Sequence, residues 1–219
     1  MSEPRRRRRD RIRGRLGLRL TTAQYDATEV NANFRERLFD ALELSIAEDG
    51  YPKTTIADVV RRARTSRRTF YEHFTSKDEC FIALLTEANA EQVRQITAAV
   101  DSSAPWQDQA RQAIGAWIAS AEARPALMLS WIRDGPSLGE AARRLQREAI
   151  EQFIAMVQAL ADSEEFRAAG IGQVSRQRII MLLGGLREVT AITVENGGRM
   201  SDVAEEAVDA TIALLGPRH

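Results

Sequence analysis

The stretch Thr54-Thr55-Ile56-Ala57-Asp58-Val59-Val60-Arg61-Arg62-Ala63-Arg64-Thr65-Ser66-Arg67-Arg68-Thr69-Phe70-Tyr71-Glu72-His73-Phe74 decides the fold. Thr54 or Thr55 can cap a short helix whose inward face is Ile56, Val59, Val60 and Ala63. Ser66 offers a second cap, and Phe70 and Phe74, four apart, mark the apolar face of the helix it starts. Ser76-Lys77-Asp78-Glu79 reads as a capping box ahead of Phe81, Ile82, Leu84 and Leu85. Two short helices joined by a tight turn, the second polar on its outer face, describe a helix-turn-helix. Burying the phenylalanines turns Arg67, Arg68, Thr69, Tyr71 and His73 outward. Arginine can present two donors to a guanine edge, and threonine can meet a thymine methyl. Tyrosine and histidine can donate to phosphate, and Lys77 lies at a helix start, where anions are attracted. A run of charges is usually a solvated face; its setting around a buried aromatic pair favours DNA as the partner.

The surrounding composition agrees. The 219 residues are 44% hydrophobic and 28% charged, ordinary for a globular chain with a substantial core. No run approaches the ~20 apolar residues of a membrane span, so no membrane partner is expected. One cysteine, Cys80, excludes an internal disulfide, and with only His73 and His219 beside it no metal site of the common Cys/His type is expected. A cytoplasmic location fits this cysteine usage. The net charge of zero hides an asymmetry: residues 1–80 hold 18 Lys and Arg against 13 Asp and Glu, and the remainder holds 13 against 18. Nine of the arginines fall in residues 1–19, without the apolar core of an export signal. That segment reads as a basic arm that grips nucleic acid, or otherwise as a solvated tail.

The chain from Asn31 onward reads as successive helices. Phe34, Leu38, Ala41, Leu42, Ser45 and Ile46 form one helical face, and Gly50-Tyr51-Pro52 ends it. Prolines and glycines at Pro105, Pro125, Gly135-Pro136, Gly170 and Gly197-Gly198 punctuate the rest, and no stretch alternates with period two. The expected class is all-α. The expected divisions are a flexible arm over 1–30, a three-helix DNA-binding domain over 31–80 and a helical regulatory and dimerisation domain over 81–219.

The first of these folded segments resembles the N-terminal domain of TetR-type (TetR/AcrR) transcriptional regulators. The matching residues are Gly50-Tyr51, Thr54-Thr55-Ile56, Ser66, Thr69-Phe70-Tyr71, Phe74, Lys77 and Phe81, with every spacing kept. The turn departs from the pattern by placing Arg64 where glycine is usual, a mild strain if that position needs positive φ. The resemblance implies a ligand-responsive repressor that binds a palindromic DNA operator as a homodimer through its last two long helices. Its DNA contacts fall among Thr54, Thr55, Ser66, Arg67, Arg68, Thr69, Tyr71, His73 and Lys77. A regulator of the same fold controlled by a protein partner is the alternative, and a helical scaffold or an enzyme a remote one. No Gly-x-Ser-x-Gly, His-Glu-x-x-His or phosphate loop supports an enzyme, and no cofactor is expected.

The acidic half supplies stripes rather than motifs. Ile179, Leu182, Leu183, Leu186 and Val189, with Val203, Ala207, Ala210 and Leu214 on the last helix, are the expected dimer interface. Gly184 and Gly185, costly inside a helix, suggest close approach of another helix. Trp117, Met128, Trp131, Phe153 and Met156 are candidate walls for a small apolar or aromatic ligand, although such side chains are more often plain core.

Overall fold

The computed structural model describes residues 22–217. The arginines of residues 1–19 lie outside them, and with them the expected arm. The described residues fall into two units, divided between Glu36 and Arg37. In the first, the described part is the opening of α1 (Thr22–Asp49), which takes in residues 22–30 that the sequence reading gave to the arm. All the other elements belong to the second unit: α2 (Ile56–Arg62), α3 (Arg67–His73), α4 (Lys77–Ala99), α5 (Trp106–Ala123), α6 (Pro125–Arg133), α7 (Gly139–Ala161), α8 (Glu164–Ala168), α9 (Arg176–Glu195) and α10 (Ala204–Leu215). Among the described residues there is no strand. The all-α class holds.

The helix starts are written in short polar side chains. Thr55 is the cap of α2, and its side chain accepts from the Asp58 amide while the Asp58 carboxylate accepts from the Thr55 amide, a complete capping box. Ser66 Oγ accepts from the Thr69 amide at 3.1 Å and starts α3. Ser76 Oγ accepts from the Glu79 amide at 3.0 Å and starts α4, but the Glu79 carboxylate takes the Thr75 amide instead of closing the box on Ser76. Pro125 stands in the first turn of α6, where its missing N–H is harmless.

Two apolar cores organise residues 37–219. One joins Leu38, Leu42 and Ile46 of α1 to Val59, Phe70, Phe74 and Phe81, and it reaches Leu127 of α6 and Leu145 of α7. Its aromatic rings interlock: Phe74 lies 5.7 Å from Phe39 and 5.8 Å from Phe70, and Tyr51 stacks on Phe81 at 4.2 Å. The other core fills the space between α5, α7, α9 and α10, with Trp117, Phe153, Ile179 and Leu182 among its members. Helix α6 touches both, through Leu127 on one side and Met128 on the other.

Candidate nucleic-acid interface and ligand cavity

The turn between α2 and α3 is set by hydrogen bonds that follow from its sequence. The Thr65 amide donates back to the Val60 carbonyl at 2.9 Å, which forces Arg64 into the left-handed region at φ +51°. The expected strain at Arg64 is therefore present. Arg37 on α1 donates its guanidinium to the carbonyls of Ala63 and Arg64, so the helical face of α1 holds the turn from behind. With Phe70 at 1% and Phe74 at 2% exposure, α3 is pinned by its apolar side.

The opposite side of α3 is open. Arg67, Arg68 and Tyr71 are exposed, Tyr71 to 57%, and Thr69 and His73 are half-buried at its edges. The Tyr71 ring meets Phe70 edge-on at 5.7 Å and leaves the rest of the side chain facing outward. Arg68 is paired with Glu72 at 3.2 Å and Arg61 with Asp58 at 2.9 Å. The guanidinium of Arg67 has no partner among the described residues, which leaves its full set of donors for a ligand. Thr55 and Ser66 are exposed at the helix starts with their hydroxyls engaged in capping.

Two of the expected DNA contacts are turned inward. Thr54 is 2% exposed and its hydroxyl donates to the Gly50 carbonyl. Lys77 sends its ammonium back to the carbonyls of Tyr51 (2.8 Å) and Thr54 (2.9 Å), 4.1 Å from the centre of the Tyr51 ring. Burial holds its pKa below the ordinary lysine value. Lys77 thus ties the start of α4 to the α1–α2 loop. The same loop is fastened by the Tyr51 hydroxyl, which donates to Asp78 and whose ionisation is pushed upward by burial and by that carboxylate.

The acidic half contains a cavity of about 70 Å³ between α5, α7, α9 and α10. Trp117, Phe153 and Met156 line it as expected, with Trp117 edge-on to Phe153 at 5.6 Å. Met128 packs on the same core but does not reach the cavity. Trp131 lies elsewhere: its ring sits against the other core, with the Arg187 guanidinium 5.6 Å from its centre and Gly135 so near that a Cβ there would lie 2.8 Å from the ring. Sequence reasoning missed Gln109, 2% exposed and on the cavity wall. The signal was there, a glutamine inside the apolar stripe Trp106, Ala110, Ala113, Trp117.

The residues of the expected dimer stripe divide between buried and exposed positions. Ile179, Leu182, Leu183, Leu186 and Ala207 are buried in the chain's own core, and the three leucines line the cavity. Val203 and Leu214 are partly buried against that core, while Ala210 and Val189 are exposed. The face of α9 left open carries Ile180, Met181, Val189 and Ile192, with Met181 57% exposed. Gly184 and Gly185 lie on it, and among the described residues no atom outside their own stretch of helix comes within 4 Å of where a Cβ would stand, so no described helix makes the expected close approach.

Comparison with known proteins places this architecture. Residues 38–84 match the family model for bacterial regulatory proteins of the tetR family. A search of curated proteins finds no match to the sequence. Among solved structures, the transcriptional regulator FadR of Bacillus subtilis, in complex with stearoyl-CoA, superposes with a TM-score of 0.70 at 16% identity, over 84% of this chain and 99% of its own. A tetR-family transcriptional regulator of Streptomyces coelicolor does so at 0.69 and 13%, over 84% and 80%. The reduced form of E. coli NemR gives 0.65 and 16%, over 85% and 100%. Residues 38–84 thus match the model of the tetR family of bacterial regulatory proteins, and the chain as a whole shares its fold with solved regulators.

Proposed function

We propose that this protein is a DNA-binding transcriptional repressor that acts as a homodimer on a palindromic operator and is released by a small, largely apolar molecule. The outer face of α3 carries the reading: Arg67, Arg68 and Tyr71 are exposed on a helix held rigidly from behind by Phe70 and Phe74. A rigid helix with unpartnered guanidinium donors suits the major groove, where arginine reads guanine. Half-sites one turn apart require two such helices about 34–36 Å from each other, which a two-fold pair of chains supplies. The open face of α9, apolar and interrupted by Gly184 and Gly185, suits the contact between those copies. The hydrocarbon walls of the cavity support a small-molecule effector, as does the stearoyl-CoA bound by the FadR relative. Among the described residues no helix is long and apolar enough to cross a membrane. The test is a gel shift of the full-length protein on DNA from upstream of its own gene, with scrambled DNA as competitor. A discrete complex that survives competitor is expected; binding no stronger than to scrambled DNA would overturn the reading.

A further inference from the structure

The cavity walls hold two buried polar atoms that no group among the described residues satisfies. The Gln109 amide nitrogen donates to the carbonyls of Ser102 (3.1 Å) and Ala104 (2.8 Å). Both N–H groups are thereby used, and the direction of the amide is fixed. Its oxygen Oε1 is left buried without a donor. On the same helix the Trp117 indole nitrogen Nε1, a donor only, is buried without an acceptor. Both residues line the cavity, at 2% and 5% exposure. The remaining polar wall, Thr211, already donates its hydroxyl to the Ala207 carbonyl at 2.7 Å. No charged side chain lines the cavity, so an ionised group drawn inside would lose its water with nothing to replace it. Gln109 and Trp117 are eight residues, a little over two turns, apart on α5, so the two unsatisfied atoms call for two separate polar groups on one occupant.

We infer that the cavity takes an uncharged, mostly hydrocarbon molecule that carries a hydroxyl donor, met by Gln109 Oε1, and a separate carbonyl acceptor, met by Trp117 Nε1. This rests on the cavity being the effector site proposed above and adds the chemistry of what it accepts. Met156, unbranched and adaptable, is the wall that can yield as a chain enters.

The test compares four probes by titration calorimetry on the full-length protein at neutral pH: methyl 10-hydroxydecanoate, methyl decanoate, decan-1-ol and the ionised 10-hydroxydecanoate. The first carries both groups, the second lacks the donor, the third lacks the carbonyl and the fourth is charged. The two-ended ester is expected to bind about tenfold more tightly than each of the others, the scale of one buried hydrogen bond lost. Trp117→Phe keeps the ring against Phe153 and should abolish the ester's advantage over decan-1-ol while leaving its advantage over methyl decanoate. A thermal melt confirms that the variant is folded. Equal binding of methyl decanoate, tighter binding of the anion, or no binding of any probe would overturn the inference. The gel shift, run on the same preparation without probe, reads the DNA-binding proposal separately: a protein that shifts operator DNA yet ignores all four probes refutes only the cavity chemistry.

Discussion

Arg64 sits at φ +51°, where a side chain is crowded by its own carbonyl. Glycine would relieve that crowding at the cost of some backbone freedom in the unfolded chain, for a net gain of up to about 1 kcal/mol. Arg64→Gly should therefore raise the melting temperature by ~2–4 °C in a chain of this size. An unchanged or lower melt in differential scanning calorimetry would mean that the Arg37 bond to the turn needs the arginine in place. On α3 the arginines should separate. Arg67 has no partner to give up, whereas Arg68 must leave Glu72, an exposed pair worth well under ~1 kcal/mol. Arg67→Ala should lose about 1–3 kcal/mol of operator affinity, concentrated at one base pair, and Arg68→Ala slightly less. Lys77→Met should behave differently from both, lowering the melting temperature by removing the bridge to Tyr51 and Thr54, with no change in base preference. Binding isotherms on single-base operator variants read these outcomes; a base-specific loss in Lys77→Met would place that side chain on DNA. The contrast shows how far residues are legible in a sequence. Spacing put Ser66, Arg67 and Tyr71 on the exposed side of α3, because a helix of known phase fixes its own faces. It could not show that Lys77 turns back, since the two carbonyls it meets belong to a loop more than twenty residues away.

At the scale of elements, α6 is joined to its neighbours by charge as well as by packing. Arg133 at its end donates to Glu188 (3.0 Å) and Glu195 (2.6 Å), both on α9. At its start the Arg124 guanidinium is paired with Glu43 on α1. The Arg133 bonds hold the carboxyls of Glu188 and Glu195 below their ordinary pKa, and those carboxylates in turn push the Arg133 pKa upward. A carboxyl whose pKa falls on folding stabilises the fold above its unfolded value and loses that contribution as pH drops through the folded value. Stability should thus decline on acidification below about pH 4.5, the unfolded glutamate range. Arg133→Gln should make that acid limb shallower in urea melts taken from neutral pH downward; an identical slope would show that solvent already screens the clamp. Elements are where sequence reading did best and where its limit is plainest. The 3.6-residue period located α9 and its broad apolar face, because periodicity records which positions avoid water. It does not record which neighbour keeps them dry, so core leucines and open-face residues merged into one stripe. The same limit misplaced Trp131, whose ring is claimed by Gly135 and Arg187 instead of the cavity.

For the whole molecule, the question is what covers the open face of α9. Ile180, Met181, Val189 and Ile192 are large apolar side chains, each at least 39% exposed and all on one helix, an arrangement that marks an interaction surface. Gly184 and Gly185 keep the middle of that face flat, so that the backbone of a second helix can approach. A symmetric pair of chains meets both conditions, since a two-fold axis through the glycines lets each α9 lie on its twin. A charge placed there is solvated in a single chain but loses its water in a pair, at a cost of several kcal/mol. Met181→Glu and Gly185→Glu should therefore yield folded monomers that melt as one cooperative unit and have lost tight operator binding. Leu183→Glu, directed at the cavity wall, should instead lower the melting temperature steeply, because the charge is buried within the chain itself. Sedimentation velocity at micromolar concentration distinguishes these outcomes. A wild-type monomer, or a Gly185→Glu variant that still sediments as a dimer, would move the contact between copies away from α9.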